Sequence, residues 1–260
     1  MYHPQSPPPP NPANAPSHRF FSGIGLTSGM RILDVGCGTG DLSRLVARLA
    51  GPDSVVVGID RSEEALATAR EAGAEPEESP VEYHRVDLAS ALPAIGKFDA
   101  IVGRRVLMYL PDPATTLRDL ALLARPGAIL AFQEHARSGL PAATAEAALH
   151  RQLYDWMWDT VDAEGGDTTL ALRLGELMRL AGLQPAATLS EAVLLQPGAP
   201  SFLPTLVQAM LPRMIAHGIA SAGEVDLATL ADRLTEEHSA IGGTIVWDLA
   251  FLVSARRSEC

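Results

Sequence analysis

From residue 31 onward, short apolar runs alternate with stretches whose apolar residues recur every three or four positions. Arg31–Val35 is a brief apolar run ending at a glycine, which reads as a buried strand. In Asp41–Ala50, the residues Leu42, Leu45, Val46 and Leu49 fall on one helical face, and Gly51-Pro52-Asp53 breaks the chain after them. Ser54–Ile59 is a second apolar run. Ser62, followed by Glu63 and Glu64, suits a helix start, because acidic side chains complement the free N–H groups there. Val81–Val86 and Phe98–Val102 read as strands three and four. Pro113–Ala124 is a helix with Leu117, Leu120 and Leu123 on one face, Arg125-Pro126-Gly127 ends it, and Ala128–Gln133 is a fifth strand. Strands separated by helices of this length imply right-handed crossovers and a mostly parallel, doubly wound α/β sheet.

The second half departs from that rhythm. Residues 140–162 read as a helix with Leu149, Leu153, Trp156 and Met157 at helical spacing, and Leu170–Ala181 as a helix stopped by Gly182. Thr188–Leu195 is a candidate strand, residues 200–238 are mainly helical with breaks at Pro204, Pro212 and Gly223, and Thr244–Ser254 is the last strand. Seven prolines within residues 1–16 predict a disordered or polyproline II tail, with residues 17–260 forming one domain.

Charge and composition narrow the function. The net charge of −11 repels phosphate backbones, so nucleic acid is a poor partner. The two cysteines, Cys37 and Cys260, suggest neither a disulfide framework nor a metal site. No apolar run reaches the roughly 20 residues that span a bilayer, and no basic segment followed by an apolar one opens the chain, so a cytoplasmic location is expected.

The chemistry concentrates at residues 32–40, Ile-Leu-Asp-Val-Gly-Cys-Gly-Thr-Gly, where a strand runs through three glycines into a helix. Glycine lets the backbone approach a ligand closely, and the helix start offers unpaired N–H groups to a phosphate or a carboxylate. A dinucleotide fingerprint counted from Gly36 would require a glycine at position 41, which is Asp41, and Asp34 further disfavours a bound phosphate while suiting an ammonium. Asp60 closes the second strand 20 residues beyond Gly40 (60 − 40). An acid at this place accepts bonds from ribose hydroxyls. The alternative is that Asp60 caps the next helix, a role Ser62 can also fill. Asp87 follows the third strand, where a carboxylate could accept from an adenine amino group.

As a set, Asp34-Val-Gly-Cys-Gly-Thr-Gly40, Asp60, Asp87, Phe98-Asp-Ala-Ile-Val102, Leu-Pro-Asp-Pro113 and Leu-Ala-Arg-Pro-Gly127 resemble the class I S-adenosylmethionine-dependent methyltransferases, over about residues 29–134. The stretch Val102–Pro113 and Ala131-Phe-Gln-Glu134 look like a bacterial small-molecule subgroup. The resemblance implies a Rossmann-like seven-stranded sheet with an antiparallel last strand, S-adenosylmethionine as cofactor, S-adenosylhomocysteine as product, and no metal. It implies that Gly36, Cys37, Gly38 and Gly40 hold the methionine portion with Asp34 and Arg104, that Asp60 and Arg61 lie at the ribose, and that Asp87 and Leu88 lie at the adenine. Cys37 is given no chemistry of its own.

Methyl transfer is an in-line displacement, so positioning and exclusion of water can supply most of the catalysis, and a base helps where the acceptor is a hydroxyl or protonated amine. His135 is the candidate base, since a histidine titrates near neutrality. His150, Tyr154 and Trp156 are candidate substrate contacts, and Glu134 is a candidate to orient either the substrate or the cofactor's surroundings. Segments at about 137–165 and 196–240 are expected to form a helical cap that sets specificity. The expected reaction is O- or N-methylation of a small, partly apolar metabolite. C-methylation or a cyclisation in the same cofactor pocket is the alternative, with methylation of protein or RNA behind it. The expected partners are a small-molecule acceptor and, at most, a second copy of the chain.

Overall fold

The structure is a computed structural model that describes residues 14–73, 79–90, 92–93, 95–137 and 146–258. Most of the proline-rich segment lies outside these residues, as does the beginning of the helix expected from residue 140. The described residues fall into two compact units. One comprises those within His18–Ser138, Val161–Glu191 and Leu249–Cys260, the other those within Met1–Ser17, Gly139–Thr160 and Ala192–Asp248.

The larger unit is built on the alternating pattern. Helix α1 (Ala15–Gly23) is followed by β1 (Arg31–Val35), α2 (Asp41–Ala50), β2 (Val55–Asp60), α3 (Glu63–Glu71), β3 (Val81–Arg85), β4 (Phe98–Arg104), α4 (Pro113–Leu123) and β5 (Ala124–His135). Helix α5 (Ala148–Ala163), α6 (Leu174–Leu180), β6 (Gln184–Pro185) and β7 (Leu189–Leu195) come next. Helices α7 (Leu203–Ala216), α8 (Ala222–Val225) and α9 (Leu227–Ile241) lead to β8 (Ile245–Arg256). The main sheet path is β3-β2-β1-β4-β5-β8-β6. Strands β1 to β5 pair in parallel, and β8 lies antiparallel to β5 with His135 opposite Ala250. The sheet winds outward in opposite directions from β1 and β4, and such a switch point leaves a crevice at the carboxyl ends of those strands. Asp34 stands beside Gly58 on one neighbour and Val102 on the other.

One face of β1 packs on α1 and α2, with Phe20, Phe21, Leu42, Leu45, Val46 and Ile32 in one buried cluster. Burying a side chain of this size contributes about 1.5–3 kcal/mol. Leu42, Leu45 and Val46 are the residues whose spacing predicts the α2 face. Helix α1 itself escapes the pattern, because its contribution rests on the adjacent pair Phe20–Phe21.

Several boundaries correct the sequence reading. Strand β4 runs on to Arg104, two residues beyond the expected end at Val102. Residues 125–127 are not a break between the helix and the fifth strand: α4 ends at Leu123, and β5 begins at Ala124, runs through them and passes an irregularity in its ladder with β4. The helix expected over 170–181 is a 3-10 turn, Leu170–Arg173, followed by α6. Pro204 sits in the first turn of α7, where a missing N–H costs nothing, while Pro212 lies inside that helix without ending it. Gly223 lies within α8, and the break before α9 is at Asp226, in left-handed conformation at φ 46°. Strand β7 also pairs with β8, which gives eight strands among the described residues where seven were expected: β5 takes only Ala250–Arg256 of the twelve-residue β8.

Candidate functional site

The glycine loop runs from Val35 into α2 with Gly36, Gly38 and Gly40 all in the left-handed region, at φ 65°, 52° and 80°. Side chains rarely adopt that conformation. Space adds a second demand at two of them: a Cβ on Gly36 would strike Val106, and one on Gly40 would strike the Tyr83 hydroxyl and Ala69. At Gly38 a Cβ would meet nothing within 4 Å, so the middle of the loop faces open space. The loop is tied to β2 by the Cys37 N–H, which donates to the Ile59 carbonyl at 3.0 Å. The Gly38 N–H donates to Asp60 Oδ2 at 2.9 Å.

Asp60 has two duties. Its other oxygen accepts the Ser62 N–H at 2.8 Å, and Ser62 in turn caps α3 by accepting the Ala65 N–H at 3.2 Å. One carboxylate thus braces the glycine loop and the α3 entry together, while the cap of α3 itself is Ser62.

Asp34 is fully buried. Its Oδ2 accepts the Ser43 hydroxyl at 2.6 Å, while Oδ1 has no hydrogen-bond partner. Burial pushes its pKa up to about 7, against the Ser43 hydrogen bond and the positive charge of Arg104. A buried carboxyl with one bare oxygen beside an open glycine loop suits a cationic donor such as an ammonium. Arg104 has its guanidinium 3.8 Å from Asp41 Oδ2, and burial, with Arg105 beside it, lowers its pKa to about 10.

The remaining predicted residues separate by environment. Cys37 is buried, and burial with Asp34 and Asp60 nearby pushes its thiol far above the ordinary range. Arg61 is exposed and its carbonyl accepts from Arg85 Nε at 3.3 Å. Asp87 is exposed and turns back on the Ala89 N–H at 3.0 Å, while Leu88 is buried. Glu134 and His135 close β5, both buried. Glu134 Oε1 accepts the N–H groups of Val106 and Leu107 at 3.0 and 2.9 Å, Oε2 has no partner, and burial raises the pKa to about 7 against those two bonds. His135 Nε2 lies 3.2 Å from Gln133 Nε2.

In the smaller unit, α5 places His150 and Tyr154 one turn apart. Glu237 of α9 receives the His150 ring Nδ1 at 2.6 Å and the backbone N–H groups of Leu149 and His150 at 2.8 and 3.1 Å. Burial lowers the His150 pKa despite Glu237, and Nε2 is left buried without a hydrogen-bond partner. Tyr154 meets Trp158 and Trp247 at 6.1 and 5.7 Å between ring centres, and Phe202 meets Trp247 at 6.4 Å. Trp158, not Trp156, joins this cluster; Trp156 is half-buried. The buried face of α5 runs through His150, Leu153, Tyr154, Met157 and Trp158, one step away from the reading that put Leu149 and Trp156 on it.

The sequence reading missed Ser43, Tyr83 and Val106. Ser43 had a signal, a polar residue in the first turn of an otherwise apolar helix face. Tyr83 and Val106 had none, because their meaning lies in the glycines they cover.

A family profile described as a methyltransferase domain matches residues 26–177. The ubiquinone biosynthesis O-methyltransferase of Neisseria meningitidis is 33% identical over 179 residues, which cover 65% of this chain and 70% of that protein. The chain belongs to the class I S-adenosylmethionine-dependent methyltransferase family. The ubiquinone biosynthesis O-methyltransferase of Bordetella bronchiseptica is 41% identical over 111 residues, so the chain spans less than half of that relative, 44% of its length. Among solved structures, an S-adenosylmethionine-dependent methyltransferase from Mesorhizobium loti aligns with a TM-score of 0.53 at 22% identity, covering 94% of this chain and 98% of that one. The cyclase SpnF aligns with a TM-score of 0.54 at 23% identity, covering 94% and 81%. Both share the fold of this methyltransferase. Among the described residues, no helix is long and apolar enough to cross a membrane, and no three His, Cys, Asp or Glu side chains gather as metal ligands.

Proposed function

We propose that this chain transfers a methyl group from S-adenosylmethionine to an oxygen atom of a small, partly apolar metabolite. The observation that carries the reading is the buried Asp34 with a bare oxygen beside three left-handed glycines, in a chain of the methyltransferase family. The choice of oxygen follows the relatives named as O-methyltransferases.

Gly36, Cys37, Gly38 and Gly40 present backbone to the methionine portion, Asp34 accepts from its ammonium, and Arg104 borders the same end. Asp60, with Arg61 next to it, takes the ribose hydroxyls through lone pairs left after its bonds to Gly38 and Ser62. Asp87 and Leu88 border the adenine. The bound cofactor supplies an electrophilic methyl group on a positive sulfur. The chain's part is to hold both reactants in line and exclude water, which accounts for most of the acceleration such a displacement needs. His135 is the base to test, on its place at the carboxyl end of β5. The Gln133 amide must move away from His135 Nε2 before that ring nitrogen can take a proton. Glu134, His150, Tyr154 and Trp156 are each acceptor contacts to test.

The test is incubation with methyl-tritiated cofactor and a small-molecule extract, followed by isolation of labelled products. A label on oxygen is the expected result. A label on carbon, or none while the cofactor binds, would overturn O-methylation and favour C-methylation or a non-methylating use of the pocket.

A further inference from the structure

The turn after β4 is held in place from a distance. Arg105 is a non-glycine residue in the left-handed region, at φ 55°, a conformation that persists only where the surroundings dictate it. Its N–H donates to the Gln133 carbonyl at 2.9 Å. The next two N–H groups, of Val106 and Leu107, open a 3-10 turn over Leu107–Tyr109, and such groups need acceptors. No local side chain caps that turn, and both N–H groups reach Glu134 Oε1, 28 and 27 residues away on β5. The far side of the turn is fastened too, by the Asp167 N–H donating to the Met108 carbonyl at 2.8 Å.

What this turn carries is Val106, whose side chain occupies the space a Cβ at Gly36 would need. Arg104 immediately precedes it. The turn is therefore one wall of the glycine loop, and the loop's Gly36 end keeps its place only while the turn keeps its own. A fully buried carboxyl with a bare second oxygen is a costly way to satisfy two amides. Glutamine would offer the same accepting oxygen without that charge.

We infer that Glu134 is a positioning residue of the cofactor pocket: through the N–H groups of Val106 and Leu107, its carboxyl oxygen holds the turn after β4 against the Gly36 end of the glycine loop. This rests on the cofactor reading given under the proposed function, and it moves Glu134 from a substrate contact to a support of the loop.

The test is calorimetric titration of S-adenosylhomocysteine into the wild-type chain, Glu134→Ala and Glu134→Gln, with thermal melting of each unliganded protein. The wild type binds. Glu134→Ala loses affinity by about tenfold or more, and Glu134→Gln, which keeps an accepting oxygen, returns to within about threefold of wild type. A residue that only supports folding would lower the melting temperature of Glu134→Ala and leave the affinity of its folded fraction unchanged; that result overturns the inference. If Glu134→Ala does not fold, Val106→Ala decides. It keeps both bonds to Glu134 but removes most of the wall, and affinity falls by about threefold or more, whereas unchanged affinity overturns the inference. A wild type that fails to bind the product removes the cofactor reading, and this inference with it.

Discussion

Replacing Asp34 by asparagine separates the cost of its carboxyl to the fold from its value to the ligand. Its pKa stands at about 7 against 3.8 for an unburied carboxyl. Three units correspond to about 4 kcal/mol, the cost of ionising this group in the unliganded fold. The sign follows from proton counts. Between about pH 4 and pH 7 the folded chain holds one more proton at Asp34 than the unfolded chain, so this group's contribution to stability falls as pH rises and levels off above the folded pKa. Asparagine keeps a partner for Ser43 but leaves one buried amide atom unpaired, a loss of about 1–3 kcal/mol. At pH 8, Asp34→Asn is therefore about 1–3 kcal/mol more stable than wild type, an increase of several degrees at roughly 2–4 °C per kcal/mol. At pH 5 that advantage is gone. Thermal melts of both unliganded proteins from pH 5 to pH 8 measure the difference. The same variant loses a charge-assisted bond to the ammonium and binds S-adenosylhomocysteine about 1.5–3 kcal/mol more weakly at pH 8. A difference between the two melting curves that does not change with pH would refute the argument, since it would mean that Asp34 titrates alike in the folded and unfolded chains.

Asp60→Ala leaves the Gly38 and Ser62 N–H groups without their side-chain acceptor. It weakens S-adenosylhomocysteine binding by about 1–3 kcal/mol in calorimetry, and an unchanged affinity would remove Asp60 from the ribose role. Alanine at Gly36 meets both backbone strain and Val106, whereas alanine at Gly38 meets strain alone. Denaturant midpoints should show Gly36→Ala losing about 1–3 kcal/mol more than Gly38→Ala, and the reverse order would contradict the loop geometry. Cys37, whose thiol is pushed up by burial and two nearby carboxyls, stays unmodified by iodoacetamide at pH 8 in the folded chain and reacts in denaturant. Rapid native labelling of the Cys37 peptide, read by mass spectrometry, would show that the loop opens.

The sheet and its glycine loop were legible because their causes are local. The period of Leu42, Leu45 and Val46, the glycines at 36, 38 and 40, and the acid ending β2 lie within short stretches that repeat physical rules. What stayed hidden depends on distant partners. Glu134 could be placed at the end of β5, but that it caps a turn 27 residues earlier follows only from the sheet's register. Trp156 and Trp158 lie two positions apart on one helix, nearly on opposite sides, and turning the buried face by one residue, about 100°, exchanges them. Pro212 looked like a break because proline removes a donor, yet α7 carries it through.

The central claim is that the three-glycine turn holds an amino-acid-bearing nucleoside. The most direct measurement is a crystal structure of the chain grown with S-adenosylhomocysteine. The homocysteine portion is expected along Gly36–Gly40, with its ammonium bonded to Asp34 and its ribose hydroxyls to Asp60. Product bound elsewhere, or bound with Asp34 facing no ammonium, would contradict it.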